Sequence, residues 1–280
     1  MIHGPSIFFE ALFRYSYLQQ AMLAAVIVGI TCGIIGCFII LRSLALMGEA
    51  ISHAVLPGVV VSYLVGVSFF FGAVLTGILT ALGIGYISQN SKIDDDTAIG
   101  ILFTAAFALG IVMVTAVGGT EVNLWNILFG NVLAVSRNNL ILTTAASAIS
   151  LTAIWVFYRE LVISTFDPVM AKSIGIATDK IHYLLMILLS VVIVASLQTV
   201  GVILVVAMLI TPAATAFVLT ERLPYMLVLS AAVGVVSAVS GVYFSFIYDV
   251  ATGGSIVLAA SALFAAAFAY QKLIVDFISA

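Results

Sequence analysis

The sequence predicts an all-α, polytopic transmembrane helical bundle. Two observations carry that prediction: a large apolar excess, and its division into runs of membrane length. Of 280 residues, 64% are hydrophobic and 8% charged, and the mean hydropathy is +1.32. A water-soluble domain is about half apolar and about a quarter charged. Too few polar side chains are present to cover a water-facing surface, so the composition requires a lipid bilayer as solvent. The nine Lys and Arg residues are scattered over a chain of net charge −3 and form no basic surface for nucleic acid.

A bilayer core takes about 20 apolar residues per helix. The runs at 17–41, 47–66, 69–88, 97–117, 139–158, 181–197, 199–219, 225–247 and 254–275 meet that length. Eight to ten spans are expected, with nine preferred, in one transmembrane domain over 1–280. Residues 5–15 read as a short amphipathic lead-in. In the first span Ala25, Gly29 and Gly33 repeat every four residues, a small-residue face that lets helices approach closely. The second span holds Glu49, His53 and Pro57, so a broken or short helix is expected there. Residues 88–96 form a polar loop. Residues 118–138, with Trp125, Asn126 and Gly130, suggest a short, partly inserted helix. Residues 159–180 form the largest charged segment, and 220–224 a tight turn. The runs on either side of Gln198 meet without a polar loop, so one long or bent passage is an alternative. Pro212 predicts a kink. Placing 159–180 inside puts Arg42, Lys92, Arg159, Lys172, Lys180, Arg222 and Lys272 on the cytoplasmic side. Arg14 and Arg137 then fall outside, an N-out, C-in orientation.

Ionisable groups within a span are costly and face a pathway or the bundle interior. Glu49 and His53 stand four residues apart, which puts both side chains on one helical face. A carboxylate beside an imidazole suits Mn, Fe or Zn. Two ligands are too few for a tight site, but a two-fold axis would double them. A structural Glu–His hydrogen bond fits the spacing equally well. Asp94, Asp95 and Asp96 read as a solvated run at a helix N-terminus. Glu121 and Asp249 read as loop acids, His182 as interfacial, and Met47 and Met208 as core packing. Cys32 and Cys37 read as buried thiols, five apart and pointing in different directions. No phosphate loop is present, so the chain has no such route to ATP. Neither a zinc-protease HExxH nor a GxSxG element occurs.

Three stretches together resemble the ABC-3 family of membrane permeases: Gly48-Glu49-Ala50-Ile51-Ser52-His53-Ala54-Val55-Leu56-Pro57-Gly58, Asp96-Thr97-Ala98-Ile99-Gly100-Ile101-Leu102-Phe103, and the run from Gln198 through Thr211-Pro212-Ala213-Ala214 to Ala216. The resemblance implies the membrane subunit of an importer for manganese, zinc or iron, with a fold like that of type II ABC importers. It implies a homodimer in the prokaryotic plasma membrane, with two cytoplasmic ATP-binding subunits and an extracellular or periplasmic metal-binding protein. It assigns Glu49 and His53 as the metal site. The family pattern carries aspartate at position 49; glutamate keeps the charge and extends the reach by one methylene. The segment Asp167-Pro168-Val169-Met170-Ala171-Lys172-Ser173-Ile174-Gly175-Ile176 resembles the loop that couples to the ATPase, with Asp167, Ala171 and Gly175 as its marked positions. A proline start and a glycine stop suit a compact surface helix. The chain is then no enzyme and holds no permanent cofactor. It passes Mn(II), with Zn(II) or Fe(II) as alternatives, and the partner spends ATP. A proton-coupled secondary transporter and a non-transporting scaffold are the rival classes.

Overall fold

The computed structural model describes residues 5–117, 132 and 135–279. The segment expected to hold a partly inserted helix, and Glu121 with it, lies almost wholly outside these residues. The described chain is helical throughout, in thirteen helices: α1 (Pro5–Arg14), α2 (Ser16–Leu41), α3 (Met47–Ala54), α4 (Leu56–Val65), α5 (Phe69–Asn90), α6 (Asp95–Ala116), α7 (Arg137–Val156), α8 (Tyr158–Phe166), α9 (Pro168–Ser173), α10 (Thr178–Val200), α11 (Val202–Leu219), α12 (Leu223–Tyr248) and α13 (Thr252–Ser279). Among the described residues nine spans are long and apolar enough to cross a membrane, counting α3 with α4 as one. This matches the preferred count.

The boundaries carry one correction. The runs around Gln198 are two helices, and the break falls at Gly201 rather than at Gln198. Gly201 has φ +83 and ψ 166, a conformation essentially closed to residues with a Cβ. Pro212 does not interrupt α11, which continues through it. Nearby, the hydroxyl of Thr215 donates to the carbonyl of Thr211 at 2.7 Å.

The helices fall into two compact units. In the first, α11, α12 and α13 pack on one another, and α1 reaches α12. The small-residue face of α2 belongs here and makes the expected helix contact. A Cβ on Gly29 would come within 2.8 Å of the Gly234 carbonyl oxygen, and one on Gly33 within 2.9 Å of Ser230 Oγ. Ser230 uses that closeness to donate to the Gly33 carbonyl at 2.7 Å. At Gly36 a Cβ would overlap the Leu209 carbonyl oxygen. Cys32 and Cys37 are both buried, and neither is in a disulfide. Phe8 of α1 meets Tyr243 and Phe246 edge-on, which gives the amphipathic lead-in its buried side.

In the second unit α3, α4, α5 and α6 pack against one another, and α9 folds back on α8. The α4–α5 hairpin turns at Gly66, with φ +74, and closes on a glycine pair. A Cβ on Gly58 would overlap the Gly72 carbonyl oxygen, and one on Gly72 the Gly58 carbonyl oxygen. Ser190 of α10 donates to the Gly77 carbonyl at 3.3 Å.

These close approaches give a paired expectation. Gly36→Ala forces backbone apart in a packed interior and should cost roughly 1–3 kcal/mol, seen as a lower unfolding midpoint in detergent. Gly100→Ala, with open space where its Cβ would go, should leave that midpoint unchanged or raise it slightly.

Candidate functional site

Helix α3 is eight residues long, and six of them, Met47, Gly48, Ala50, Ile51, Ser52 and Ala54, are buried. The two that are not are Glu49, which is exposed, and His53, which is half-buried. The polar face anticipated from the i, i+4 spacing is therefore the open face of the helix. Ser52 turns inward and donates to the Gly48 carbonyl at 2.7 Å, so its hydroxyl is consumed within α3. No hydrogen bond or ion pair joins Glu49 to His53. The structural Glu–His bond left open by the spacing is absent.

The break expected from Pro57 lies directly after this pair. Pro57 has no N–H to return to the His53 carbonyl. Instead the Val55 N–H caps that carbonyl, and α4 begins at Leu56 with proline in its first turn. Val55 stays in the helical region, at φ −74 and ψ −14, so the interruption is shallow. On the other side of His53 stand two rings of α6, Phe103 and Phe107, with centroids 5.6 Å and 5.4 Å away.

The residues that the family resemblance marks as a coupling loop form a second cluster around α9. Asp167 is the N-cap, and its Oδ1 accepts from the Met170 N–H at 2.8 Å. Pro168 follows at the first helical position, where no N–H is needed. The helix ends in a paired motif: the Ile176 N–H donates to the Ala171 carbonyl at 2.9 Å and the Gly175 N–H to the Lys172 carbonyl at 3.1 Å. That closure needs a left-handed residue, and Gly175 has φ +87. Ala171 is fully buried, while Val169, Met170 and Ile174 are exposed. This short helix thus presents an apolar face outward, and Lys172 pairs with Asp179 at 3.6 Å beside it.

Behind α9 lies an open cavity of ≈ 310 Å³. Pro168 and Lys172 line it together with Arg42, Leu44, Asp95 and His182. Leu44 lies just before α3, Asp95 opens α6 and His182 sits in the first turns of α10, so three helix starts meet the loop around α9 here. Arg42 Nε donates to Thr165 Oγ1 at 3.0 Å and Nη2 to Ser164 Oγ at 2.8 Å. Burial holds this guanidinium below its ordinary value, because desolvation disfavours the charged form. The sequence marked Arg42 only as a cytoplasmic charge; its partners lie more than a hundred residues away. Asp94 is the N-cap of α6 without a side-chain bond, whereas Asp95 accepts from Ser88. His182 lies near the start of α10, among the charged residues that line the cavity. It is half-buried, and its Nε2 lies enclosed over Gly85 with no hydrogen bond. Asp249 is an exposed left-handed C-cap of α12. Met47 and Met208 are core residues.

A family model described as the ABC 3 transport family matches residues 14–271. The chain is 66% identical over 264 residues to the manganese transport system membrane protein MntC of Halalkalibacterium halodurans, covering 94% of this chain and 90% of that one. It is 52% identical over 264 residues to the protein of the same name in Listeria monocytogenes, covering 94% of each. Among solved structures it is similar to a chain of PsaBC from Streptococcus pneumoniae in complex with Fab, at a TM-score of 0.84, 45% identity and 95% coverage of both chains.

Asp167→Ala removes a cap worth about 1 kcal/mol. Amide exchange at Met170 should quicken, while exchange in the buried spans stays at the wild-type rate.

Proposed function

The chain belongs to the ABC 3 transport family, and from that membership we propose that it is the manganese-carrying permease of an ATP-driven importer, with Glu49 and His53 as its metal ligands. It is a multi-pass protein of the prokaryotic plasma membrane. One observation carries the ligand assignment: α3 buries every residue except these two. An exposed carboxylate on a membrane-length span needs a partner, since lipid offers none. Metal and a second protomer supply one. On the two-fold axis of a homodimer two carboxylates and two imidazoles converge. That set of oxygen and nitrogen donors suits Mn(II), and it suits Zn(II) and Fe(II) as well. The names of the similar proteins favour manganese.

The transport cycle follows from these parts. An external binding protein delivers the ion to the axis. Glu49 and His53 of both protomers hold it weakly enough for it to leave again. Two cytoplasmic ATP-binding subunits dock on the apolar face of α9, where Asp167 and Gly175 define a rigid helix and Ala171 seats it. Closure of the ATPases then shifts the loop and the helix starts around the cavity behind it. Glutamate at position 49 reaches one methylene further than the family's aspartate, so its carboxylate extends further from the helix.

Glu49→Ala and His53→Ala, at matched membrane levels, should each abolish ATP-dependent Mn(II) uptake into vesicles; uptake at the wild-type rate in both removes the proposed site. Collapse of uptake with the proton gradient alone, with no need of ATP, favours a secondary transporter. Val169→Glu, on the exposed face of α9, should prevent co-purification of an ATP-hydrolysing subunit while leaving the permease folded.

A further inference from the structure

We propose that Phe103 and Phe107 are positioning residues for His53: an aromatic clamp on α6 sets the orientation from which the imidazole meets the ion. The inference rests on the reading of Glu49 and His53 as metal ligands. Phe103 meets the imidazole at 5.6 Å between centroids with a 46° tilt, and Phe107 at 5.4 Å with a 67° tilt. Both distances lie within the range of favourable ring–ring packing. The two phenyl rings are four residues apart and near-parallel to each other, 6.2 Å between centroids at 23°. They form one face of the helix.

Gly110 continues that face toward the far side of the break. Its missing Cβ is what admits Leu56, since a Cβ would come within 2.8 Å of Leu56 Cγ. Phe103, Phe107 and Gly110 thus seat α6 across the interruption between α3 and α4. His53 lies on one side of it and Leu56 on the other. The sequence stretch from Asp96 to Phe103, shared with the permease family, ends on the first of these rings.

A metal-ligating histidine is ordinarily oriented by a hydrogen bond from its second ring nitrogen. The His53 side chain has none among the described residues, and its ring torsion is intrinsically broad. Packing against two phenyl rings restricts that torsion. The rings hold the imidazole without competing for the ion, because a phenyl ring offers no oxygen or nitrogen donor to Mn(II).

The test is Mn(II) binding, followed by electron paramagnetic resonance of the free ion, on the full-length permease in its native oligomeric state in nanodiscs. Phe103→Leu and Phe107→Leu keep apolar bulk and remove the ring; Phe103→Tyr and Phe107→Tyr keep the ring. Each Leu variant should bind Mn(II) roughly tenfold more weakly, the range of lost support to a ligating histidine, and should raise the KM for uptake more than it lowers kcat. The Tyr variants should bind as wild type. Wild-type affinity in both Leu variants, with binding lost in His53→Ala, overturns the clamp and leaves the metal site standing. Wild-type affinity in His53→Ala overturns both. Equal loss in the Leu and Tyr variants also overturns the clamp, because ring loss is then not the cause.

Discussion

Lipid cannot donate or accept a hydrogen bond, so every polar group within a span must find its partner in protein, in water or in cargo. The hydroxyl groups show how the chain meets this demand. Those of Thr31, Ser52, Thr104, Thr144 and Ser237 each donate to the carbonyl four residues earlier on the same helix. Such groups are satisfied locally and ask nothing of the fold. A carboxylate has no proton to donate when ionised and cannot use this route. Glu49 is therefore a side chain for which the helix itself has no answer, and α3 turns it outward together with His53.

Close packing supplies the frame around that exposed pair. Without a hydrophobic force between helices in lipid, contact depends on backbones approaching. Glycines permit it in both units: Gly29, Gly33 and Gly36 along α2, and the Gly58–Gly72 pair between α4 and α5. The second pair lies just past the break at Pro57, so the interruption beside His53 is flanked by one of the tightest contacts of its unit. A helix that lacks a backbone bond is thereby held by its neighbours.

Helix α6 joins the two candidate sites physically. It opens at Asp95 on the wall of the cavity behind α9. Two to three turns later it carries the rings that face His53. The turn before α3 reaches the same cavity through Leu44. A displacement of the loop around α9 therefore bears on α3, which carries Glu49 and His53, and on α6, which carries the rings beside His53.

Sequence alone determined the helical class, a range of eight to ten spans with nine preferred, and the shared face of Glu49 and His53. These depend on apolar run length and helical period, both local properties. It also marked α9, because a capping aspartate, a proline start and a glycine stop act within ten residues. The tertiary structure decided the rest. It ruled out a Glu49–His53 hydrogen bond, moved the break from Gln198 to Gly201, and brought Arg42 to Ser164 and Thr165. It also gave His53 its aromatic neighbours. Two phenylalanines four residues apart on an apolar span read the same whether they face lipid or a histidine. Only packing between helices distant in sequence distinguishes the two.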